Sequence, residues 1–302
     1  RVRQSALKAL ASFARGNQCA IREICMRLIN DVERVRGAAV EALKAVTKPG
    51  DPFTIALVRP LLEHSESKVR RSAIAALCVI AEKNDKEIIS AVGRCMEDVD
   101  FDVRRDSADA LCGLASKGDE NVLNEVHVRL AHDQDCIRKQ ALEALGKVAI
   151  AGDQNSVKAV IPHVEGESWQ VRHAALQTLS IIAGPGNGTV ISLAVQRLKD
   201  EYLVVRYAAL ETIGTLGDLE AGRIGTHEVF YAVPAVGRCL KEPDGYLQGL
   251  AAETLSLIAK KGDKRALAAL DEAVAKLDDQ RMEDRIWRLR GAFNNALAKL
   301  TP

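Results

Sequence analysis

The sequence predicts an all-α fold: a right-handed α-α superhelix, or solenoid, of about eight and a half stacked helix pairs. Three observations predict it. A nine-residue phrase recurs as "VRQSALKAL", "VRGAAVEAL", "VRRSAIAAL", "IRKQALEAL", "VRHAALQTL" and "VRYAALETI". Its arginines, with one more in "VRRDSADAL", are Arg3, Arg36, Arg70, Arg104, Arg138, Arg172 and Arg206; they stand 33 residues apart once and 34 apart five times. Between successive phrases lies a second segment, such as "EIISAVGRCMED" or "GTVISLAVQRLKD", whose apolar residues also recur at helical spacing. Neither helix of such a pair carries enough apolar surface to fold alone, so the pairs must stack.

Each element follows from residue types at fixed offsets. Fourteen residues after successive motif positions come Asn17, Gly50, Asn84, Gly118, Gly152, Gly186 and Gly262, types that accept the left-handed conformation ending a helix. Asp51, Asp85, Asp119, Asp153 and Asp263 follow directly, where a carboxylate caps the next helix and opposes its positive dipole end. Ala6, Ala39, Ala73, Ala141, Ala175, Ala209 and Ala251 allow close helix approach at one recurring place. The expected organisation is a single solenoid over 1-302. It comprises a half repeat 1-17, repeats 18-50, 51-84, 85-118, 119-152, 153-186 and 187-220, an inserted loop 221-228, and repeats 229-262 and 263-302. The last two repeats keep the register in "LQGLAAETL" and "LRGAFNNAL" at 42-residue intervals, and the final one is lengthened and reads as a cap on the stack.

These motifs resemble the HEAT-repeat (armadillo-like α-solenoid) family over essentially the whole chain, "DVDFDVRRDSADAL" matching its Val-Arg signature and acidic turn well. The tetratricopeptide repeat shares the 34-residue period, but its Trp, Gly-Tyr and Pro signature is absent. The HEAT resemblance implies an arginine ladder in which Asp98, Asp100 and Asp200 face successive arginines, broken where His64 and Gly166 replace the aspartate. It also implies that second helices line the concave side. The residues following the motif positions, Arg71, Arg105, Lys139, His173 and Tyr207, then form a row of candidate partner contacts, joined by Arg223 and His227 of the inserted loop. Arg105 with Asp109 and Lys139 with Glu143 are spaced to pair within a helix turn.

Composition narrows the function. Forty-two Lys and Arg balance 41 Asp and Glu, so no global field draws in a polyanion. Seven scattered cysteines without a CxxC pair read as reduced, buried residues of an intracellular, cytoplasmic or nuclear protein. No apolar run approaches the ~20 residues of a membrane span. Arg1 reads as a cut into a longer chain. Six histidines form no HExxH, no GxSxG elbow occurs, and "GPGNG" lacks the lysine and strand of a phosphate loop. The lone His227-Glu228 pair is too little for the di-iron hydroxylases built on HEAT-like repeats, which use several such pairs.

No catalytic residue, metal ligand or cofactor is therefore assigned. The expected role is a non-enzymatic scaffold or adaptor that binds a protein or extended peptide, ahead of a small molecule or nucleic acid. A bilin-lyase-type protein is the alternative, requiring a pocket of polar and aromatic residues on the concave face. A nucleic-acid scaffold is the second, requiring a continuous basic groove. Phe101, Trp169, Tyr202, Tyr246 and Trp287 fall just before the motif, near the turn joining the two helices, as groove closers or partner anchors.

Overall fold

The computed structural model describes residues 14–217, 227–278 and 284–301, and every secondary-structure element among them is helical. The chain divides into two compact units, residues 1–150 and 151–302. In the first, α1 (Gln18–Met26) pairs with α2 (Glu33–Val46), α3 (Pro52–Val58) with α4 (Ser67–Ile80), α5 (Lys86–Arg94) with α6 (Phe101–Leu114), and α7 (Glu120–Leu130) with α8 (Asp135–Val148). In the second, α9 (Gln154–Val160) pairs with α10 (Trp169–Ile182), α11 (Gly188–Arg197) with α12 (Leu203–Gly217), α13 (His227–Cys239) with α14 (Gly245–Ile258), and α15 (Lys264–Asp278) with α16 (Asp284–Leu300). Within each unit, successive second helices pack on one another, so each is a stack of helix pairs.

The helix starts follow the aspartates. Asp85 accepts from the Glu87 and Ile88 amides at 3.0 and 3.1 Å, and Asp119 from Asn121 and Val122 at 3.0 and 3.1 Å, satisfying N–H groups that the first turn leaves without partners. Asp51, Asp153 and Asp263 cap α3, α9 and α15 in the same way. The first helices of two repeats contain Pro60 and Pro162, and there the α-helix gives way to 3₁₀ segments at Arg59–Glu63 and Ile161–Glu165. Proline supplies no amide to continue the α-helical ladder, and the tighter helix tolerates it in its first turn.

The helix stops do more than end helices. Gly50, Asn84 and Gly118 have φ of 76°, 63° and 81°, and their amides donate to Ile80, Leu114 and Val148, the last residues of the second helix one repeat onward, at 2.7, 2.9 and 2.8 Å. Gly152, Gly186 and Gly262 do the same to Ile182, Leu216 and Leu300 at 2.8, 2.8 and 2.7 Å. Left-handed backbone thus turns an amide sideways onto a C-terminal carbonyl that has no partner in its own helix. Asn17 departs from expectation: Gly16 takes the left-handed position (φ 73°) and donates to Val46, while Asn17 caps α1 through the Ala20 amide.

The core is a repeated cross-section. Ala73, Ala141, Ala175, Ala209 and Ala251 are fully buried, and Ser107 holds the same position in α6. One turn later Leu43, Leu77, Leu111, Leu145, Leu179, Ile213 and Leu255 are also fully buried, each stabilising its unit by roughly 1.5–3 kcal/mol. Small residues let adjacent backbones approach, and the large ones fill the space between the two layers.

A Cβ added at Gly152 would meet nothing within 4 Å, yet its φ is 89°. Gly152→Ala should therefore lose about 1–2 kcal/mol through backbone strain alone. Urea unfolding of the variant against wild type measures it, and an unchanged midpoint would show that the left-handed turn is not required.

Candidate functional site

The arginine row does two distinct jobs. In five consecutive repeats one guanidinium nitrogen donates to both carbonyls of the turn that precedes its own helix. Arg36 reaches Asn30 and Asp31 at 2.9 and 2.9 Å, Arg70 reaches His64 and Ser65 at 2.8 and 3.0 Å, and Arg104 reaches Asp98 and Val99 at 2.7 and 3.1 Å. Arg138 reaches His132 and Asp133 at 2.6 and 2.9 Å, and Arg172 reaches Gly166 and Glu167 at 2.9 and 2.7 Å. The fork geometry of arginine permits this bifurcated grip while leaving its other nitrogens free to act elsewhere. Arg3 lies outside the described residues.

The second job reaches forward to the next repeat, and it is done only where a carboxylate waits. Arg70 binds Asp98 through two bonds of 2.7 and 2.6 Å, Arg172 binds Asp200 through two of 2.8 and 2.9 Å, and Arg206 reaches Glu242 at 3.1 Å. At the ladder position His64 follows Arg36 and His132 follows Arg104 in the place Asp98 holds for Arg70, and Gly166 is the residue at that spacing after Arg138. Arg36 bonds Ser72 instead at 3.1 Å, the Arg104 Nε has no partner, and Arg138 turns back to Asp135 of its own helix. Asp100 departs from its expected ladder role: it caps α6 through the Asp102 and Val103 amides at 2.9 and 3.2 Å, and the Val103 bond holds its carboxyl below the usual range.

The ladder position also has a local duty that survives loss of the carboxylate. Asn30, His64, Asp98, His132 and Asp200 each accept from the backbone amide two residues onward, at 2.9, 3.1, 2.8, 3.0 and 3.1 Å. Imidazole Nδ1 replaces a carboxylate oxygen in this turn. A further buried arginine, Arg129 on α7, has no place in the repeated motif; its side chain is 4% exposed and lies 3.1 Å from Glu97 and 2.9 Å from Glu125.

The candidate partner row is largely self-paired. Arg71 donates to Asp106 at 2.6 Å and lies 3.6 Å from Asp102, while Arg105 pairs with Asp102 at 2.8 Å and Asp106 at 3.0 Å, making a neutral quartet between α4 and α6. Arg105 does not take Asp109 as its spacing suggests: Lys147 of α8 holds Asp109 at 2.6 Å, leaving Arg105 to the nearer Asp102 and Asp106. Lys139 lies 3.4 Å from Glu143. In the second unit His173 is half-buried on α10, and Tyr207 donates to Asp244 at 3.0 Å. Burial and that bond raise the Tyr207 pKa. Arg223 lies outside the described residues; His227 opens α13, and its side chain lies outside them too.

Phe101, Trp169, Tyr202 and Tyr246 stand at the turns between paired helices, whereas Phe230 and Tyr231 meet edge-on at 5.8 Å within α13. Trp169 stacks on Tyr202 with centroids 5.7 Å apart, and Tyr207 meets Tyr246 edge-on at 4.9 Å. Phe101, in the first unit, lies beside the Arg104 and Arg105 guanidiniums at 5.8 and 5.9 Å. The Trp287 side chain falls outside the described residues. Among the cysteines, Cys25, Cys95 and Cys239 are buried, but Cys19 and Cys136 are exposed, because each sits in the outward-facing first turn of its helix. Burial pushes the Cys25, Cys78, Cys95 and Cys239 thiols up to about 11, far from a nucleophilic thiolate. No helix among the described residues is long and apolar enough to cross a membrane.

A family model of HEAT repeats matches residues 1–78, 55–146 and 123–214. The chain belongs to the HEAT-repeat family. Among solved structures, this HEAT-repeat chain is similar to one in the Kap95:Nup1 complex, at 13% identity and a TM-score of 0.63, over 92% of this chain and 41% of that one. A crystal structure of an engineered protein matches at 18% identity and a TM-score of 0.46, over 97% of this chain and 94% of that one. At such identities the likeness to the Kap95:Nup1 chain is one of fold. No curated protein matches the HEAT-repeat chain.

The geometry separates the arginines. Arg172→Ala strands a carboxylate whose side chain is 2% exposed and should cost about 3–5 kcal/mol, whereas Arg138→Ala removes carbonyl bonds and a half-exposed pair and should cost about 1 kcal/mol. Equal losses in denaturant titrations of the two variants would refute the distinction.

Asp200 gives a pH signature. Burial raises its pKa, but bonds from Arg172 and the Tyr202 amide outweigh that and hold it below the ordinary value. The unfolded chain then takes up the proton first, so the Asp200 contribution is complete above about pH 4 and declines as pH falls through the lower folded pKa. Unfolding free energy measured between about pH 5 and pH 2 should fall less steeply in Asp200→Asn than in wild type.

Proposed function

We propose that this HEAT-repeat chain is a non-enzymatic protein-interaction scaffold whose partner contacts lie on the outward residues of successive second helices. The observation that carries this reading is the register of Arg71, Arg105 and Lys139 on α4, α6 and α8, each side chain about two-fifths exposed. Their types vary while their geometry repeats. His173 and Tyr207 occupy the same register on α10 and α12, and Arg223 together with His227, which starts α13 rather than lying in the loop expected over 221-228, adds a second contact. One array with the repeat boundaries given above carries these positions, and the free cysteines suit a reducing, intracellular compartment.

The neutral quartet of Arg71, Arg105, Asp102 and Asp106 favours a protein partner over nucleic acid, because phosphate neutralisation needs uncompensated cations. It also governs the test. Reversing Arg71 and Arg105 alone would crowd four carboxylates together and lower stability. The swap Arg71→Asp, Arg105→Asp, Asp102→Arg, Asp106→Arg, together with Lys139→Glu and Glu143→Lys, keeps opposite charges adjacent while inverting their order. Partner recovery in quantitative affinity purification should fall by about tenfold or more with helicity retained; undiminished recovery by the folded variant would place the contacts elsewhere.

A further inference from the structure

Three of the four tyrosines and one of the two tryptophans of this aromatic-poor chain stand on three consecutive inter-helix turns of the second unit: Trp169 at the start of α10, Tyr202 and Tyr207 around the start of α12, and Tyr246 at the start of α14. They form two aromatic pairs in successive seams, Trp169 with Tyr202 and Tyr207 with Tyr246. Tyr202 is 42% exposed and Tyr246 63%, with Leu203 and Val204 open beside them. Core packing does not require large rings to stand in solvent, since the first unit stacks its turns with a single aromatic there, Phe101.

The charge on this edge is acidic. Glu165, Glu167 and Glu201 are exposed, and neither Glu165 nor Glu167 has a salt bridge among the described residues. The cations beneath are already used: Arg172, 5.8 Å from the Tyr202 ring, is bonded to Asp200, and Arg206 to Glu242. Lys241 is held by Glu272 at 2.8 Å, which leaves Lys199 as the one exposed lysine of these turns outside a salt bridge among the described residues. Phe101 offers no equivalent, because Arg104 and Arg105 flank its ring.

We propose that this edge binds a proline-rich segment of a partner protein, in polyproline II conformation with an arginine or lysine at one end. Spacing matches: a polyproline II helix repeats every three residues, about 9.3 Å, and neighbouring helices pack about 8–10 Å apart. Prolines on one face of the ligand therefore meet one aromatic pair per repeat. The preformed ligand loses little entropy on docking, and its terminal cation meets Glu167 and Glu201. This surface shares Tyr207 with the second-helix row but none of the charged positions Arg71, Arg105 and Lys139, so variants at those positions and at Tyr202 and Tyr246 test the two proposals independently.

The test uses the full chain carrying Trp287→Phe, so that Trp169 is the remaining tryptophan, and the synthetic peptide Arg-Pro-Leu-Pro-Pro-Leu-Pro. Saturable change in Trp169 emission is expected, weakened at least about tenfold in the folded double variant Tyr202→Ala, Tyr246→Ala. A peptide with Glu in place of Arg should bind more weakly, and added salt should narrow that difference. The charge-swapped row variant should bind the arginine peptide as wild type does. Absence of binding at about 1 mM peptide, equal affinity for the glutamate peptide, or full affinity in the tyrosine double variant would overturn the proposal.

Discussion

One guanidinium gripping the two carbonyls at the end of the preceding turn is the constraint on which the helix pairing rests. A tight turn between antiparallel helices leaves carbonyls pointing into the crevice between them, where unpaired acceptors are costly. Arg36, Arg70, Arg104, Arg138 and Arg172 supply the missing donors from the first turn of the second helix, so each of these five helix pairs carries its own lock. Lysine could not hold two carbonyls and a carboxylate with one planar group. Where the arginine is lost the need remains: Gln248 donates to the Glu242 carbonyl at 2.6 Å from the same register.

Because the lock is local, the bond between repeats is free to vary. Forward ion pairs form at Asp98, Asp200 and Glu242 and are missing at His64 and His132, yet within each unit the stack continues through these positions. Two other features hold those seams. The left-handed residue's amide closes onto the neighbouring helix end, and a buried alanine or serine sets the approach distance. The ion pairs therefore add stability unevenly along the chain, which allows some seams to open more readily than others.

The scaffold was legible in the sequence because its physics is periodic: helix stops, caps and the alanine column recur at offsets that any single repeat repeats. The exceptions were less so. Asp100 reads as a ladder aspartate, but a carboxylate one residue before a helix is spent on its first amides. Arg105 and Asp109 are spaced to pair, but Lys147, 38 residues away, competes for the same carboxylate. Arg129 lies in a first helix, where no motif flags it. His64 and His132 look like damage to the ladder, and only their Nδ1 contacts reveal that the turn is intact. Each failure involves a choice between partners brought together by stacking, which local spacing does not encode.

The two units solve the same stacking problem with different surplus chemistry. On α4 and α6 the outward side chains cancel one another, so a partner there must break or bridge existing ion pairs, and complementarity contributes selectivity more than attraction. On the turns of α10, α12 and α14 the surplus is exposed aromatic area edged by carboxylates, of which Glu165 and Glu167 have no salt bridge among the described residues while Glu201 lies 3.7 Å from Arg172. Rings add large, stiff contact area with few rotamers to freeze, so each stands to contribute more per residue than the paired charges do. Repetition sets where side chains can stand, and the residues that break the repetition decide what they bind.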